Sequence, residues 1–330
     1  MKKVIILTVC LTGLAVLNSS AKIWRVNNTG LPADFTTIQA AHDAATVAAG
    51  DTLHIEPSTV SYGALVSTKK LIIIGPGYFL NENTNQQANP TTAIISSFSL
   101  NEGSGGTVIS GLSITATSHI RTGNTTISRN YIGGYLYLSR DYSYSNVLIS
   151  GNYLLGNIEV DGDSGETLIT NVLIVNNLLP RIILGNQFSG VVANNVFGTT
   201  SGGSNFIVKN NIFTTSFNEL AFNGSYNTIS NNLSAAANGL PTGNGNQNGV
   251  NMTTVFVGAT GNSTDGQWQL KEGSPAKGAG LSGEDCGMFG GNTPYHLSGL
   301  PATPSIYLLT APASSNGPSL TVTISVKTNK

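Results

Sequence analysis

The side chains best suited to recognise or transform another molecule gather between residues 131 and 181. Tyr131, Tyr135, Tyr137, Tyr142, Tyr144 and Tyr153 are six of the eleven tyrosines, and a tyrosine offers a sugar ring an apolar face with a hydrogen-bonding tip. Asp141, Glu159, Asp161, Asp163 and Glu166 are interleaved with them. Carboxylates in such number suit Ca²⁺, which prefers several oxygen ligands. Asp141, Asp161 and Asp163 are the candidate ligands, although Asp161-Gly162-Asp163-Ser164-Gly165-Glu166 lacks the full spacing of an EF-hand loop. Paired carboxylates about 5 to 9.5 Å apart would also serve glycoside hydrolysis, and Asp141 with Asp163 or Asp161 is the candidate pair. Tyr stacks and Asp-Gly turns equally populate an ordinary solvated β-surface.

These residues are positioned by a recurring phrase of two or three aliphatic or β-branched residues, one or two variable residues, an Asn and a further apolar residue. It reads Thr126-Ile127-Ser128-Arg129-Asn130-Tyr131, Leu148-Ile149-Ser150-Gly151-Asn152-Tyr153, Ile174-Val175-Asn176-Asn177-Leu178, Val192-Ala193-Asn194-Asn195-Val196, Ile207-Val208-Lys209-Asn210-Asn211-Ile212 and Thr228-Ile229-Ser230-Asn231-Asn232-Leu233. From Asn130 to Asn152, Asn177, Asn195, Asn211 and Asn232 the steps are 22, 25, 18, 16 and 21 residues. Self-similarity at that period marks a solenoid. The phrases are rich in Val, Ile and Thr, punctuated by Gly and poor in helix formers, so the coils are strands. Asn suits the corner of such a coil because it tolerates the left-handed conformation and its amide can bond to the equivalent Asn one coil away. These asparagines therefore read as scaffold.

Used as a ruler, the ladder separates inward from outward positions. Leu136 and Leu138 stand at +6 and +8 from Asn130, and Ile158 and Val160 at +6 and +8 from Asn152, which makes the even offsets inward. Tyr135, Tyr137, Ser139 and Asp141 on one coil, and Asn157, Glu159, Asp161 and Asp163 on the next, should then face out. With coils about 4.8 Å apart, Tyr137 should lie over Glu159 and Asp141 over Asp163.

With these phrases the chain resembles the secreted right-handed parallel β-helix proteins of the pectin-lyase-like type, in their bacterial form, over about residues 22 to 290. Asp34-Phe35-Thr36-Thr37-Ile38-Gln39-Ala40-Ala41, running to Gly50-Asp51-Thr52-Leu53-His54-Ile55, looks like the family's entry of capping helix, turn and first strand. Trp268 to Ala276, then Gly280 and Asp285-Cys286-Gly287, looks like its closing coil. The resemblance implies an all-β, right-handed parallel β-helix solenoid with a short N-terminal capping helix and a C-terminal β tail. The expected organisation is a signal peptide over 1–21, a cap over 22–50, the β-helix over 51–290 and an extension over 291–330.

For function, the resemblance implies a carbohydrate-binding surface protein or, alternatively, a polysaccharide lyase or glycoside hydrolase acting on an acidic glycan. A lyase needs a base of shifted pKa and a cation that neutralises a uronate carboxylate. Arg140 beside Asp141 is the best such pair, and Arg181 on a later coil could help bind an acidic sugar. The candidate catalytic residues are thus Arg140, Asp141 and Asp163, and the candidate substrate-binding residues are Tyr135, Tyr137, Glu159 and Arg181. The chain matches none of the catalytic signatures of lyases or hydrolases on this fold, so catalysis stays open.

Composition narrows the rest. Charged residues make up 9% of the chain, against a usual value of about 25%. The net charge of −1 becomes about −3 if Lys2 and Lys3 leave with a leader, and with no basic patch a nucleic-acid partner is not expected. Lys2-Lys3, the apolar run Val4 to Leu17 and Ser19-Ser20-Ala21 read as a secretory signal, with the mature chain starting near Lys22. Cys10 falls in that run, and Cys286 alone cannot form an intramolecular disulfide. Cys286 reads as a buried small residue rather than a nucleophile. No second apolar segment reaches the roughly 18 residues of a membrane span, and a secreted monomer with a polysaccharide or cell-surface glycan as partner is expected. The four histidines, His42, His54, His119 and His296, lie in separate segments, which argues against a His-based metal site. Residues 35–49 should form the cap helix between Asp34 and Gly50, and strand should return at Val250 to Val257 and at Leu320 to Val326.

Overall fold

The chain folds as a parallel β-solenoid of about eight turns, seen in a computed structural model that describes residues 21–162, 167–215, 222–314, 317 and 319–329. Residues 1–20 of the expected leader, with Asp163 and Glu166, lie outside the described residues. One face is a ten-stranded parallel sheet that runs from Ile23–Val26 and Thr52–Ile55 to Phe206–Lys209 and Thr228–Ser230. The rest of each coil lies in a thirteen-stranded sheet made of two rows, which merge where Leu178–Leu184 runs unbroken and pairs with strands of both rows.

β-branched residues at every second position set the register. On the first sheet Leu53, Ile73, Ile109, Ile127, Ile149, Ile174, Val192, Val208 and Ile229 stack in one inward column, all buried. Burying each such side chain contributes roughly 1.5–3 kcal/mol. A one-residue slip would turn the whole column outward, so the hydrophobic pattern fixes the stacking.

The corner after each of these strands divides its work between two residues. The first, at Arg129, Gly151, Asn176, Asn194, Asn210 and Asn231, holds φ between 55° and 62°. The second, at Asn130, Asn152, Asn177, Asn195, Asn211 and Asn232, is buried. Each of these six accepts, at its side-chain oxygen, the backbone N–H of the residue one coil earlier, as Asn152 does from Asn130 at 2.9 Å and Asn195 from Asn177 at 2.9 Å. Asn246, from the low-complexity loop 238–249, accepts the last of these bonds from Asn232 at 3.1 Å and ends the column.

The cap helix is shorter than the Ala-rich stretch suggests. It spans Ile38–Asp43 and is N-capped by Thr37, whose hydroxyl accepts the Ala40 N–H, and it ends at Ala44. Asp34 instead accepts the Arg25 backbone N–H. The turn at Gly50 follows an irregular stretch, because Asp51 reaches back to the N–H groups of Lys22 and Ala48 and fixes the loop there. Ile38 and Ala41 cover the end of the core, and His42 is structural, its Nε2 accepting the Thr68 N–H.

Residues 250–301 also depart from expectation. Val250–Val257 is not a strand but contains a 3₁₀ turn at Met252–Thr254, and the Trp268–Gly287 segment does not close a coil. Rich in Gly, Ser and Pro, it lacks the alternation a strand needs. It returns along the outside of the solenoid from the last coil toward the first. Asn231 donates to Ala279 O, Asn194 to Asp285 O, Asn176 to Met288 O and Gly290 O, and Arg129 to Leu300 O. Its Val255, Ala276, Cys286, Met288 and Tyr295 bury Tyr153, Leu178, Val196, Ile212 and Leu233, the outward apolar residues that follow each corner. Cys286 is buried, and burial pushes its thiol up to about 12. Beyond this strap, Thr323–Lys327 pairs antiparallel with Ser305–Thr310. Among the described residues no helix is long and apolar enough to cross a membrane.

Candidate functional site

The second row of the thirteen-stranded sheet carries most of the polar and aromatic residues singled out above. Leu136 pairs with Ile158 and Leu138 with Val160, and they turn into the core. Between them Tyr137 lies over Glu159. The turn before these strands takes Gly134 and Gly156, because a side chain on either would collide with backbone of the coil before it. Tyr135 then meets Tyr137 edge to face, with ring centroids 6.0 Å apart. Asn157 donates to Glu159 Oε1 at 2.7 Å, tying two outward positions of one strand together.

A residue from the preceding coil completes the row. His119 pairs with Tyr137 across the sheet and stacks on its ring at 5.3 Å, with 24° between the planes. Its Nδ1 lies 3.1 Å from Asp161 Oδ2 but out of line for a hydrogen bond, so this buried nitrogen has no hydrogen-bond partner. Burial and the neighbouring Glu159 push the Tyr137 hydroxyl up from its ordinary value.

At the far end of these strands the charged groups hold one another. Ser139 is buried rather than outward, since its hydroxyl turns to donate to Asp141 Oδ2 at 2.7 Å. Arg121 Nε stands 3.8 Å from the same oxygen. Arg140 donates from its guanidinium to Gly162 O at 2.8 Å, and its Nε is buried without a partner. Asp141 is thus engaged by Ser139 and Arg121, while Asp161 stands beside His119. Among the described residues no group of three His, Cys, Asp or Glu side chains is placed to hold a metal ion.

Arg181 belongs to the same face but to a different hollow. Ile158 pairs with Ile182, which sets Arg181 one coil beyond Asn157 and two beyond Tyr135. It lines a cleft of about 550 Å³ with Tyr153, Leu155, Asn157, Thr199 and Trp268. Tyr131 and Tyr153 do not join an open tyrosine face, because Phe79 and the strap cover them; the Phe79 ring stands 5.5 and 5.2 Å from theirs. Tyr144 is half-buried and donates to Ile120 O. Tyr135 and Tyr142 are the exposed members, at 42% and 58%.

The sequence reading missed His119, Arg121 and the contribution of Trp268. For His119 a signal existed. Leu112 holds the corner position in its coil and bonds to Asn130, so His119 stands at +7 from it, as Tyr137 does from Asn130 and Glu159 from Asn152. The ruler stopped short because that corner carries Leu instead of Asn. No family model, curated protein or solved structure matches this chain.

Proposed function

We propose that the protein is an exported β-solenoid of the bacterial pectin-lyase-like type that binds carbohydrate along the second row of its larger sheet and does not turn it over. The observation that carries this reading is the aromatic row His119–Tyr137 with Tyr135 set edge-on beside it, next to the Asn157–Glu159 pair. Apolar ring faces flanked by fixed hydrogen-bonding groups are the chemistry that receives a sugar. Binding is favoured over turnover because the chain carries none of the catalytic signatures of lyases or hydrolases on this fold. Lys2-Lys3, the apolar run to Leu17 and Ser19-Ser20-Ala21 support export.

Retention on a broad glycan array tests the proposal. The full chain should hold at least one glycan class, and the double substitution Tyr135→Ala with Tyr137→Ala should weaken retention about tenfold while the thermal midpoint stays put. Retention indifferent to both tyrosines would remove the row from the function.

A further inference from the structure

Asp51 ties the first strand to the cap. Its Oδ1 accepts the Lys22 backbone N–H at 2.8 Å, and its Oδ2 accepts the Trp24 indole N–H at 2.7 Å and the Ala48 backbone N–H at 2.9 Å. The residue is 4% exposed. A carboxylate withdrawn from water is costly unless a cation compensates it, yet among the described residues none of the ion pairs includes Asp51. The charged side chain that acts on it is Lys22, whose Nζ is turned over the Trp24 ring, 3.3 Å from its centroid.

Lys22 is also where the mature chain is expected to start, after the small residues Ser19-Ser20-Ala21. Ala21 and Lys22 are exposed and precede the first strand, Ile23–Val26. Hydrolysis of the Ala21–Lys22 peptide bond puts the hydroxyl of water on the Ala21 carbonyl carbon and its proton on the Lys22 nitrogen. That amine takes up a further proton at neutral pH. No strand pairing is lost, because Lys22 O still accepts the Thr52 N–H at 2.8 Å. The neutral donor beside Asp51 thereby becomes an ammonium in the same place.

Resting on the reading of the protein as exported, we infer that Asp51 is the receptor for the chain's own processed N-terminus: the Lys22 α-ammonium supplies the cation that this buried carboxylate lacks. A hydrogen bond between two ionised groups is roughly twice as strong as a neutral one. The first strand is the outermost of the ten-stranded sheet, the edge that most needs to be held. Removal of the leader therefore locks the end of the solenoid, and the unprocessed chain has the looser first coil.

Export of the full chain, leader included, from a bacterial host tests this. The protein recovered outside the cytoplasm should begin with Lys22 on N-terminal sequencing. A second chain carries one Gly inserted between Ala21 and Lys22 and should begin with that Gly. The insertion keeps every bond from a neutral donor to Asp51 and moves only the ammonium away, so the thermal midpoint at pH 7 should fall by about 2–4 °C. The α-amine of the parent should react with 2-pyridinecarboxaldehyde about tenfold more slowly than that of the inserted chain, because Asp51 holds its proton. Asp51→Asn should erase both differences; if that variant does not fold, the inserted chain decides alone. Equal midpoints and equal labelling would overturn the inference. A chain exported with another first residue would overturn it and leave export standing, whereas a chain kept inside with its leader intact would overturn both.

Discussion

The Asn corner and the His119–Tyr137 row are built on the same coils only a few residues apart, and they treat polar groups in opposite ways. At the corner each buried amide is bonded to the next coil; Asn177 Nδ2, for example, donates to Ile149 O, Val175 O and Asn195 Oδ1. On the larger sheet's side, buried nitrogens of His119, Arg140, Arg181 and Trp268 are left without partners. Satisfied buried polar groups fix a scaffold, while each unsatisfied one calls for an explanation such as strain, a water or a bound group. The comparison teaches that residue type alone does not separate the two roles, and that completeness of hydrogen bonding does.

The largest test removes a member of the corner column. Asn177→Ala should cost about 2–6 kcal/mol, since it strands at least two buried groups at about 1–3 kcal/mol each, read as a lower urea midpoint. Its control is the parallel but exposed row in which Asn171 donates to Asn146 and Asn146 to Asn124. Asn146→Gly there should cost well under 1 kcal/mol, because water replaces the lost partners. Equal losses would show that burial is not what separates corner from surface.

Next in size is the strap. Asn176→Ala removes three bonds to the strap and puts Ala at a φ of 56°, a backbone strain of about 1–2 kcal/mol. Limited proteolysis should cut residues 276–290 faster in this variant, and Asn176→Gly should recover the backbone share alone. Smaller still is the stability change of Tyr137→Ala, expected within about 1 kcal/mol because the ring lies on the surface. A larger fall in its unfolding free energy would make the row scaffold after all.

A further test concerns pH. The Cys286 thiol, ordinarily at 9.0, is pushed to about 12 by burial, with Asp285 and Glu284 acting in the same direction. The folded state keeps the proton longer than the unfolded chain, so this contribution is whole below pH 9 and is lost as pH rises toward 12. Burial also raises the hydroxyls of Tyr78 and Tyr295, which share a 2.7 Å hydrogen bond, and they add to the alkaline loss. The difference in thermal midpoint between the parent protein and Cys286→Ala should shrink across that window. A thiol reagent at pH 8 should leave the folded chain unlabelled.

Much of the architecture was legible because a period-2 pattern repeated on every coil is a strong signal. Even offsets from each Asn do enter the core, with Leu136, Leu138 and Ile158 fully buried. The same ruler places Tyr131, Tyr153, Leu178, Val196, Ile212 and Leu233 at +1, facing out. A column of outward apolar residues requires a cover, so the strap had a signature in the sequence. What covers it had none, because residues 250–301 carry no periodicity and dock through backbone carbonyls, which are the same for every residue type. Ser139 fell on the wrong side of the alternation, since a hydroxyl is short enough to turn back to its neighbour's carboxylate.

By itself, then, the sequence determined the solenoid, its register and the candidate row, because stacking coils places residues of equal offset over one another whatever lies beyond them. Only the tertiary structure decided which tyrosines stay open, which carboxylates are engaged and that Trp268 and Arg181 line one cleft. Those facts depend on a non-repeating segment returning across more than a hundred residues of chain, and on side-chain orientations that the coil spacing leaves free.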